Sequence, residues 1–475
     1  MLPNGAGVSI LQATNTPFGP PPAYDSSQPV VSPTPDSPHI LPTQRSDDET
    51  YTIQQGDTLG QVATAYGLDL QVLLDANPEV DPNYLTIGQT IVIPAENSLE
   101  LGSSFKIIPD SELIFSPYTY FFNLGDFVQS QGGYLSSYQE VVDGVMTSGV
   151  DIIDRVSREY SVNPRILLAV LEYESQWVTH SSPDPASTDY PMQYYDPELS
   201  GLYLQMSWAA NTLNYGFYAW NVNAIGQWVL ADSSMLRVDA TINAGTAGVQ
   251  NLMSSLHGYA GWNTAVSSDG VYATFTSLFG EPFTLTFDPL LPADLSQPVM
   301  QLPFEQGVSW SFTGGPHAGW GIGSAWAAID FAPATENPDC SASPEWATAV
   351  APGLIIRSEN GVVILDLDGD GLEQTGWTVL YLHMASSGRV AVGTYVQAGD
   401  RIGHPSCEGG ISNGTHMHMA RRYNGEWIAA DGSIPFNLDG WISQGTGVEY
   451  DGLLVNNGQV VEAWDRSLPE NEISR

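Results

Sequence analysis

Two histidines separated by one residue, His416 and His418, lie in the run Thr415-His416-Met417-His418-Met419. In extended backbone, alternate side chains share a face, so a strand here aims both imidazoles into one cleft. There they can serve as metal ligands, as bases, or as one of each. Of the eight histidines in the chain, His317, His383 and His404 fall in the same stretch, between residues 317 and 418. So do both cysteines, Cys340 and Cys407. With no CxxC pair they do not form a zinc motif, and an even count in an exported protein favours a disulfide, the alternative being two buried thiols. By loop-entropy models such a bridge contributes about 4 kcal/mol.

Two acidic groups also carry chemistry. Asp366-Leu367-Asp368-Gly369-Asp370-Gly371 begins as a calcium loop does, with oxygens at alternate positions and glycine at the sharp turn. Its twelfth position is Trp377, where the bidentate glutamate belongs, and an Asp- and Gly-rich hairpin turn accounts for the same letters. Calcium on Asp366, Asp368 and Asp370 is therefore expected in a structural role only. Elsewhere, Asn163 and Pro164 read as the N-cap and first residue of an apolar helix ending in Glu172 and Glu174. These two lie about 200° apart around the helix, so they cannot share an environment. A carboxyl facing a cleft has its pKa raised toward general-acid use.

The elements that must hold these groups divide the 475-residue chain into several units. Residues 1–49 are a tether rich in proline, serine and threonine, unable to build a core. Residues 50–95 read as a small βααβ module, with Asp57 or Thr58 as a helix N-cap. Residues 103–290 are mostly helical; Ile152, Ile153, Val156 and Tyr160 share one face of an amphipathic helix. Residues 298–450 are β-rich, with glycine turns between runs such as 361–365 and 377–382, and 451–475 form a C-terminal tail. The fold class is a multidomain α+β chain with an antiparallel β domain at its C-terminal end.

One lysine (Lys106) and twelve arginines stand against 53 acids, a net charge of −40. That excludes nucleic acid and anionic lipid as partners, since both require basic patches. There is no transmembrane run of 18 apolar residues, and residues 1–24 lack the basic and apolar regions of a signal peptide. An export signal is thus not visible, although an extracytoplasmic, secreted or wall-associated location is expected.

Residues 50–95, with Gly56-Asp57-Thr58-Leu59, Asn77, Gly88-Gln89 and Ile93-Pro94, resemble the LysM module. The resemblance implies binding of N-acetylglucosamine-containing glycan in a groove formed by Gly56, Asp57, Thr58 and Leu59, with Asn77, Pro78 and Ile87 opposite. Asn163-Pro164 followed by Ala169 to Ser175 resembles the start of lytic transglycosylase domains, which are lysozyme-like. Segments 201–206 and 242–245 depart from that family's GLMQ and YNAG loops. Carried over, the catalytic acid would be Glu174.

Four further segments, 315–319, 328–333, 380–384 and 414–418, resemble in order the motifs of LytM/lysostaphin-type zinc endopeptidases. That family's H-x-G-x-D-F-A-x-P, Y-A-H-L and G-x-H-L-H-F motifs imply zinc ligands His317, Asp330 and His418. They also imply that His416 acts as base or holds the water, and that His383 steadies the oxyanion. His404 matches no ligand position. His317 and Asp330 stand thirteen residues apart here, with Gly319 to Trp326 inserted between them, which makes His317 the weakest assignment. The combined expectation is an exported peptidoglycan hydrolase: LysM for targeting, a zinc endopeptidase for peptide cross-links, and a glycan-cleaving middle domain. Its rivals are a metal-free wall-binding or regulatory protein and a secreted zinc protease acting on a Gly-rich protein.

Overall fold

A computed structural model describes His39 and residues 47–54, 57–66, 68, 70–82, 84–95, 99–333 and 340–475. The tether expected over 1–49, apart from His39 and 47–49, lies outside the described residues, as does Gly56.

The first unit pairs strand β1 (Glu49–Thr52) antiparallel with β2 (Thr90–Ile93), enclosing helices α1 (Leu59–Ala65) and α2 (Leu70–Ala76). Thr58 is the cap: its hydroxyl accepts from the Gln61 N–H (3.2 Å), and the Gln61 side chain accepts from the Thr58 N–H (3.1 Å). Such a reciprocal box satisfies two orphan donors at once. Asp57 instead closes the turn, accepting from Tyr51 Oη and the Gln54 N–H. Asn77 is buried and stitches α2 to β2 through Leu73 O and both backbone groups of Val92. Leu59 belongs to the core. Of the groove residues expected from the sequence, Thr58, Pro78 and Ile87 are exposed, whereas Asn77 and Leu59 are buried and hold the module together.

In the middle unit two short helices, Asp110–Leu113 and Leu124–Gln131, precede a hairpin, β3 (Gln139–Val142) and β4 (Val145–Ser148). Helices α3 (Gly149–Tyr160), α4 (Pro164–Ser175), α5 (Leu202–Asn221), α6 (Ala244–Leu256), α7 (Tyr259–Ala265) and α8 (Val271–Phe279) follow. Ser148 and Asn163 cap α3 and α4, each side chain accepting a first-turn N–H, and Pro164 occupies the first helical position, where no N–H is needed. Helix α4 is buried along nearly its whole length because α8, α3 and α5 pack around it.

The C-terminal unit is built on one antiparallel sheet. Its strands are β5 (Ser309–His317), β6 (Ala328–Pro333), β7 (Gly353–Glu359), β8 (Val362–Asp366), β9 (Trp377–Leu382), β10 (Tyr395–Val396), β11 (Met417–Tyr423), β12 (Glu426–Trp427) and β13 (Glu472–Ser474). They run in the order β10–β7–β8–β9–β11–β6–β5–β13, with β12 hairpinned to β11. Residues 451–475 are therefore not a tail: strands at 452–456 and 459–462 join a second sheet, and β13 closes the edge of the main one.

Alternation along the strands sorts the sheet into two faces. Ile329, Val363, Val379, Tyr381, Met417 and Met419 enter a core of the β unit alone. Their neighbours Ala328, Ile364, Leu380, Leu382 and Ala420 enter the core of the helical domain. The two units thus share one continuous core. Polar contacts fix the seam: the Trp427 N–H donates to Tyr218 Oη (2.9 Å) and Ser161 Oγ to the Gly425 carbonyl (2.6 Å).

The insertion at 319–326 belongs to this seam. It leaves β5 after His317, reaches helix α5 and returns into β6. The Gly323 N–H donates to Asn211 Oδ1 (2.8 Å), and a Cβ on Gly323 would stand 1.9 Å from the Asn211 carbonyl oxygen. Gly323→Ala should accordingly destabilise the chain by about 1–3 kcal/mol, the usual range for overpacking a closed contact. Denaturant midpoints of the two proteins check this; an unchanged midpoint would mean the loop yields without cost.

Candidate metal centre

Strand register assembles the centre. On β11, His418 lies opposite Asp330 of β6 on one side and Leu382 of β9 on the other. Strand β5 reaches the same point through two register shifts, which turn its last residue, His317, toward the same face. Between them Gly314 pairs with Asp330, where a Cβ would stand 2.8 Å from the carboxylate. The insertion between His317 and Asp330 does not separate them, because the ligand pair is set by strand pairing and not by sequence distance.

His317 Nε2 and His418 Nδ1 are 2.9 Å apart, and each is 3.3 Å from Asp330 Oδ1. All three side chains are buried. The outward ring nitrogens settle the tautomers: His317 Nδ1 meets the Gly315 carbonyl (2.8 Å) and His418 Nε2 the Gly319 carbonyl (3.0 Å). A carbonyl can only accept, so both outward nitrogens carry hydrogen and the inward nitrogens of the neutral rings are bare. Asp330 Oδ1 is likewise a buried acceptor with no hydrogen-bond partner. Three lone pairs converging on one point demand a cation. Two imidazoles and a carboxylate suit zinc, and a tetrahedral site with the usual bond lengths has ligand–ligand edges of about 3.3 Å. The observed triangle fits.

Two more rings face this triangle. His416 Nε2 lies 3.7 Å from Asp330 Oδ2, while its Nδ1 donates to the Gly414 carbonyl (2.9 Å). His383 stacks obliquely on His416 with centroids 4.5 Å apart. Its Nδ1 donates to the Glu408 carbonyl (3.0 Å). His383 takes a left-handed backbone, φ 65°, held because its own carbonyl accepts from the Ser406 N–H and hydroxyl. The expected bridge between Cys340 and Cys407 is present, with Cα atoms 5.2 Å apart, and pins the chain beside Glu408. His404 is structural, stacked on Trp346 and donating to the Glu345 carbonyl.

Electrostatics follow the geometry. Burial works to raise the Asp330 carboxyl, but facing His317 and His416 more than reverse it and hold it well below the carboxylate range. Burial opposes charge on His317, yet Asp330 raises its pKa, while burial and His317 lower that of His418. A proton is therefore favoured on His317 over His418. Burial and neighbouring His416 and His418 push His383 down to about 3. A neutral His383 whose N–H is committed to Glu408 presents only an acceptor at Nε2. In that tautomer Nε2 faces the cleft as an acceptor, whereas the role implied by the family resemblance requires a donor there.

The cleft above these residues has a volume of about 930 Å³. Sequence reasoning missed part of its wall. Tyr450 stacks on the His317 ring (centroids 4.2 Å apart), and Arg155, Glu159 and Tyr203 arrive from the helical domain. Nothing in the sequence marks the last three, since only domain packing brings them here.

The other expected sites separate from the cleft. Asp366, Asp368 and Asp370 do cluster, but both Asp366 oxygens accept backbone N–H groups of their own turn, and Asp370 accepts from Leu372 N–H and Thr375 Oγ1. The hairpin-turn alternative describes these residues, and calcium has no support. Glu174 is buried, its side chain 2% exposed, with Oε1 2.9 Å from His257 Nε2. Glu172 caps the turn after its helix through the Val178 and Thr179 N–H groups. Gln205 and Asn243, in the loops resembling transglycosylase motifs, spend their amides on backbone carbonyls.

Comparison with known proteins gives family matches over two segments of the chain. Residues 51–94 match the LysM domain, and residues 106–293 match the family described as LasA, N-terminal domain, so the transglycosylase resemblance of that segment is not supported. Among individual proteins, the chain is similar to Protease LasA of Pseudomonas aeruginosa, 25% identical over 311 residues that cover 60% of this chain and 68% of that one. It also matches the N-acetylmuramoyl-L-alanine amidase XlyA of Bacillus subtilis, 31% identical over 123 residues, 24% of this chain and 40% of the amidase. Among solved structures, the M23 metalloprotease pseudoalterin aligns at 24% identity over 36% of this chain and 98% of its own, with a TM-score of 0.29.

Zinc added to metal-free protein at mildly acid pH should bind one per chain and release about one proton, the release fading as pH rises and the His317–His418 pair empties by itself. Calorimetry in buffers of different ionisation enthalpy reads both numbers. Stoichiometric binding surviving in His418→Ala would refute the ligand set.

Proposed function

We propose that this chain is a zinc metallopeptidase that acts outside the cytoplasm on the peptide cross-links of peptidoglycan and is concentrated on the wall by its LysM module. The observation that carries the reading is the buried triangle of His317, Asp330 and His418 in a cleft that two further histidines face with free nitrogens. Similarity to Protease LasA supports the peptidase class, and the LysM match and the amidase similarity support the wall as substrate. No helix among the described residues is long and apolar enough to cross a membrane.

His317, Asp330 and His418 would hold the metal, which when bound supplies a Lewis acid and a water of lowered pKa. The chain's own part is positioning and proton transfer. His416 Nε2, an acceptor beside the Asp330 carboxylate, takes the proton of the attacking water and passes it to the leaving amine nitrogen. The Asp330 charge steadies the imidazolium that forms between these steps. His383 Nε2 accepts the second hydrogen of the water and so fixes the direction of attack. Tyr450, stacked on His317, screens the ligand ring from bulk water. Glu174, enclosed and paired with His257, has no part in this chemistry, and we assign no sugar cleavage to the helical domain.

Purified chain should release peptide-linked fragments from whole peptidoglycan, and a chelator should stop it; mass analysis identifies the bond. Fragments carrying anhydro-sugar ends, or digestion of a Gly-rich protein in preference to wall, would redirect the assignment. His416→Ala and His383→Ala should each lower kcat by about 10²–10⁴ while keeping one zinc per chain. Full activity in His416→Ala would remove it as the base. Absence of bound metal in protein with all histidines folded would favour a wall-binding regulator instead.

A further inference from the structure

An asparagine followed by glycine occurs five times in the chain, at Asn4, Asn360, Asn413, Asn424 and Asn457. Asn4 lies outside the described residues. Three of the others share one job. Asn360-Gly361, Asn424-Gly425 and Asn457-Gly458 are the two-residue turns of hairpins, flanked by the ladder pairs Glu359–Val362, Tyr423–Glu426 and Asn456–Gln459. Their asparagines have φ of 47°, 49° and 48° and their glycines 75°, 82° and 85°. That is the left-handed backbone a type I′ turn needs and this residue pair supplies. Asn413-Gly414 is different. It lies in the irregular loop between Glu408 and strand β11, at the rim of the cleft, and neither residue has a positive φ. Asn413 is exposed, and its amide has no hydrogen-bond partner among the described residues. The Gly414 N–H makes one long contact, 3.3 Å to Ser412 Oγ, and a Cβ on Gly414 would meet nothing within 4 Å. Neither turn geometry nor packing accounts for this pair.

We infer that Asn413 is a modification site, deamidating spontaneously through Gly414 and so limiting the working life of the cleft. In this step the Gly414 nitrogen loses its hydrogen to solvent and bonds to the Asn413 side-chain carbonyl carbon. The amide C–N bond breaks and ammonia leaves. Water then opens the cyclic imide at the side-chain carbonyl, giving aspartate, or at the backbone carbonyl, giving isoaspartate. The net change is an amide and a water becoming a carboxylic acid and ammonia. The attack needs the Asn413 side chain and the Gly414 peptide free to rotate against each other, and with no Cβ on Gly414 nothing shields the nitrogen. In the three hairpins the same rotation would break the ladder beside the turn. Asn424 is held further, its Oδ1 accepting from the Gly376 N–H (3.0 Å) and its Nδ2 donating to the Leu290 carbonyl (3.0 Å). The product matters because of what Gly414 carries: its carbonyl accepts from His416 Nδ1 (2.9 Å) and Ser412 Oγ (2.7 Å). Isoaspartate reroutes the main chain through a side-chain methylene immediately before Gly414, and either product adds a negative charge at the rim. His317, Asp330 and His418 are held by strand pairing and stay in place. The effect on activity rests on the proposed peptidase function; the modification itself does not.

The test ages the full zinc-loaded chain for days in mildly alkaline buffer, digests it at acid pH and reads the mass gain of each Asn-Gly peptide. Enzymatic methylation of isoaspartate distinguishes the two products. Asn413 should convert at least about tenfold faster than Asn360, Asn424 and Asn457, the factor that opening a turn's ladder hydrogen bonds imposes. Gly414→Ala, for which the structure has room, should slow Asn413 to the level of those three. Release of peptide from peptidoglycan should decline in step with isoaspartate formation at Asn413, while bound zinc stays unchanged. Asn413→Ser, treated alike, should keep the activity with which it starts. An Asn413 that converts no faster than Asn457 overturns the site. Conversion with undiminished hydrolysis overturns its bearing on the cleft. Conversion as expected in a chain that never hydrolysed peptidoglycan fails the peptidase and keeps the modification.

Discussion

Two imidazole nitrogens 2.9 Å apart, each with its lone pair turned toward the other, cannot stay together unless something positive lies between them. In this chain the something is a shared proton or a metal, and Asp330 supplies the charge that makes either welcome. Much of the β domain serves to enforce this contact. Strand register places Asp330 opposite His418, the register shifts of β5 turn His317 inward, and Gly314 leaves room for the carboxylate. Four ring N–H groups find four carbonyls on the outside, so that no ring can relieve the crowding by rotating.

That contact lies on the sheet face that the helical domain also covers. Two residues along β11 separate Ala420, packed in the common core, from His418 in the cleft, and the same step on β6 separates Ala328 from Asp330. The cleft is simply where coverage stops. Packing and chemistry are therefore coupled through the seam: the insertion after His317, the β11–β12 hairpin and helix α3 all touch both. A shared core also means that neither unit is a passive spacer for the other.

Much of the centre was legible in the letters because the period-two rule needs no tertiary information: His416 and His418 do face one cleft. Asp330 and His317 were legible through motif order, and the thirteen-residue gap looked like a weakness only because pairing between β5 and β6 cannot be read from spacing. The cysteine pair followed from compartment logic. What stayed hidden had a common cause. Arg155, Glu159 and Tyr203 reach the cleft by domain packing, and the strands in 451–475 are short segments whose partners lie more than a hundred residues upstream or in a neighbouring hairpin. Motif letters misled where polar side chains serve the backbone: Asn77 clamps a helix to a strand, Asp366 closes a turn, and Glu174 meets His257 instead of a sugar. A motif gives a ring and not the nitrogen that bears its hydrogen, so the tautomer of His383 was not legible in the sequence.

Each of the four cleft histidines leans on a peptide carbonyl: those of Gly315, Gly319, Gly414 and Glu408. Support of that kind has no side chain to remove. Three of the four supporting residues are glycines, and truncating the glutamate would leave its carbonyl in place. An alanine scan of this protein would find the ligands and the proton-transfer groups and then fall silent one layer out. The outer layer is written in chain path, and it changes only through substitutions that bend the backbone, so natural variation around the site should appear as altered loops more than as altered polar residues.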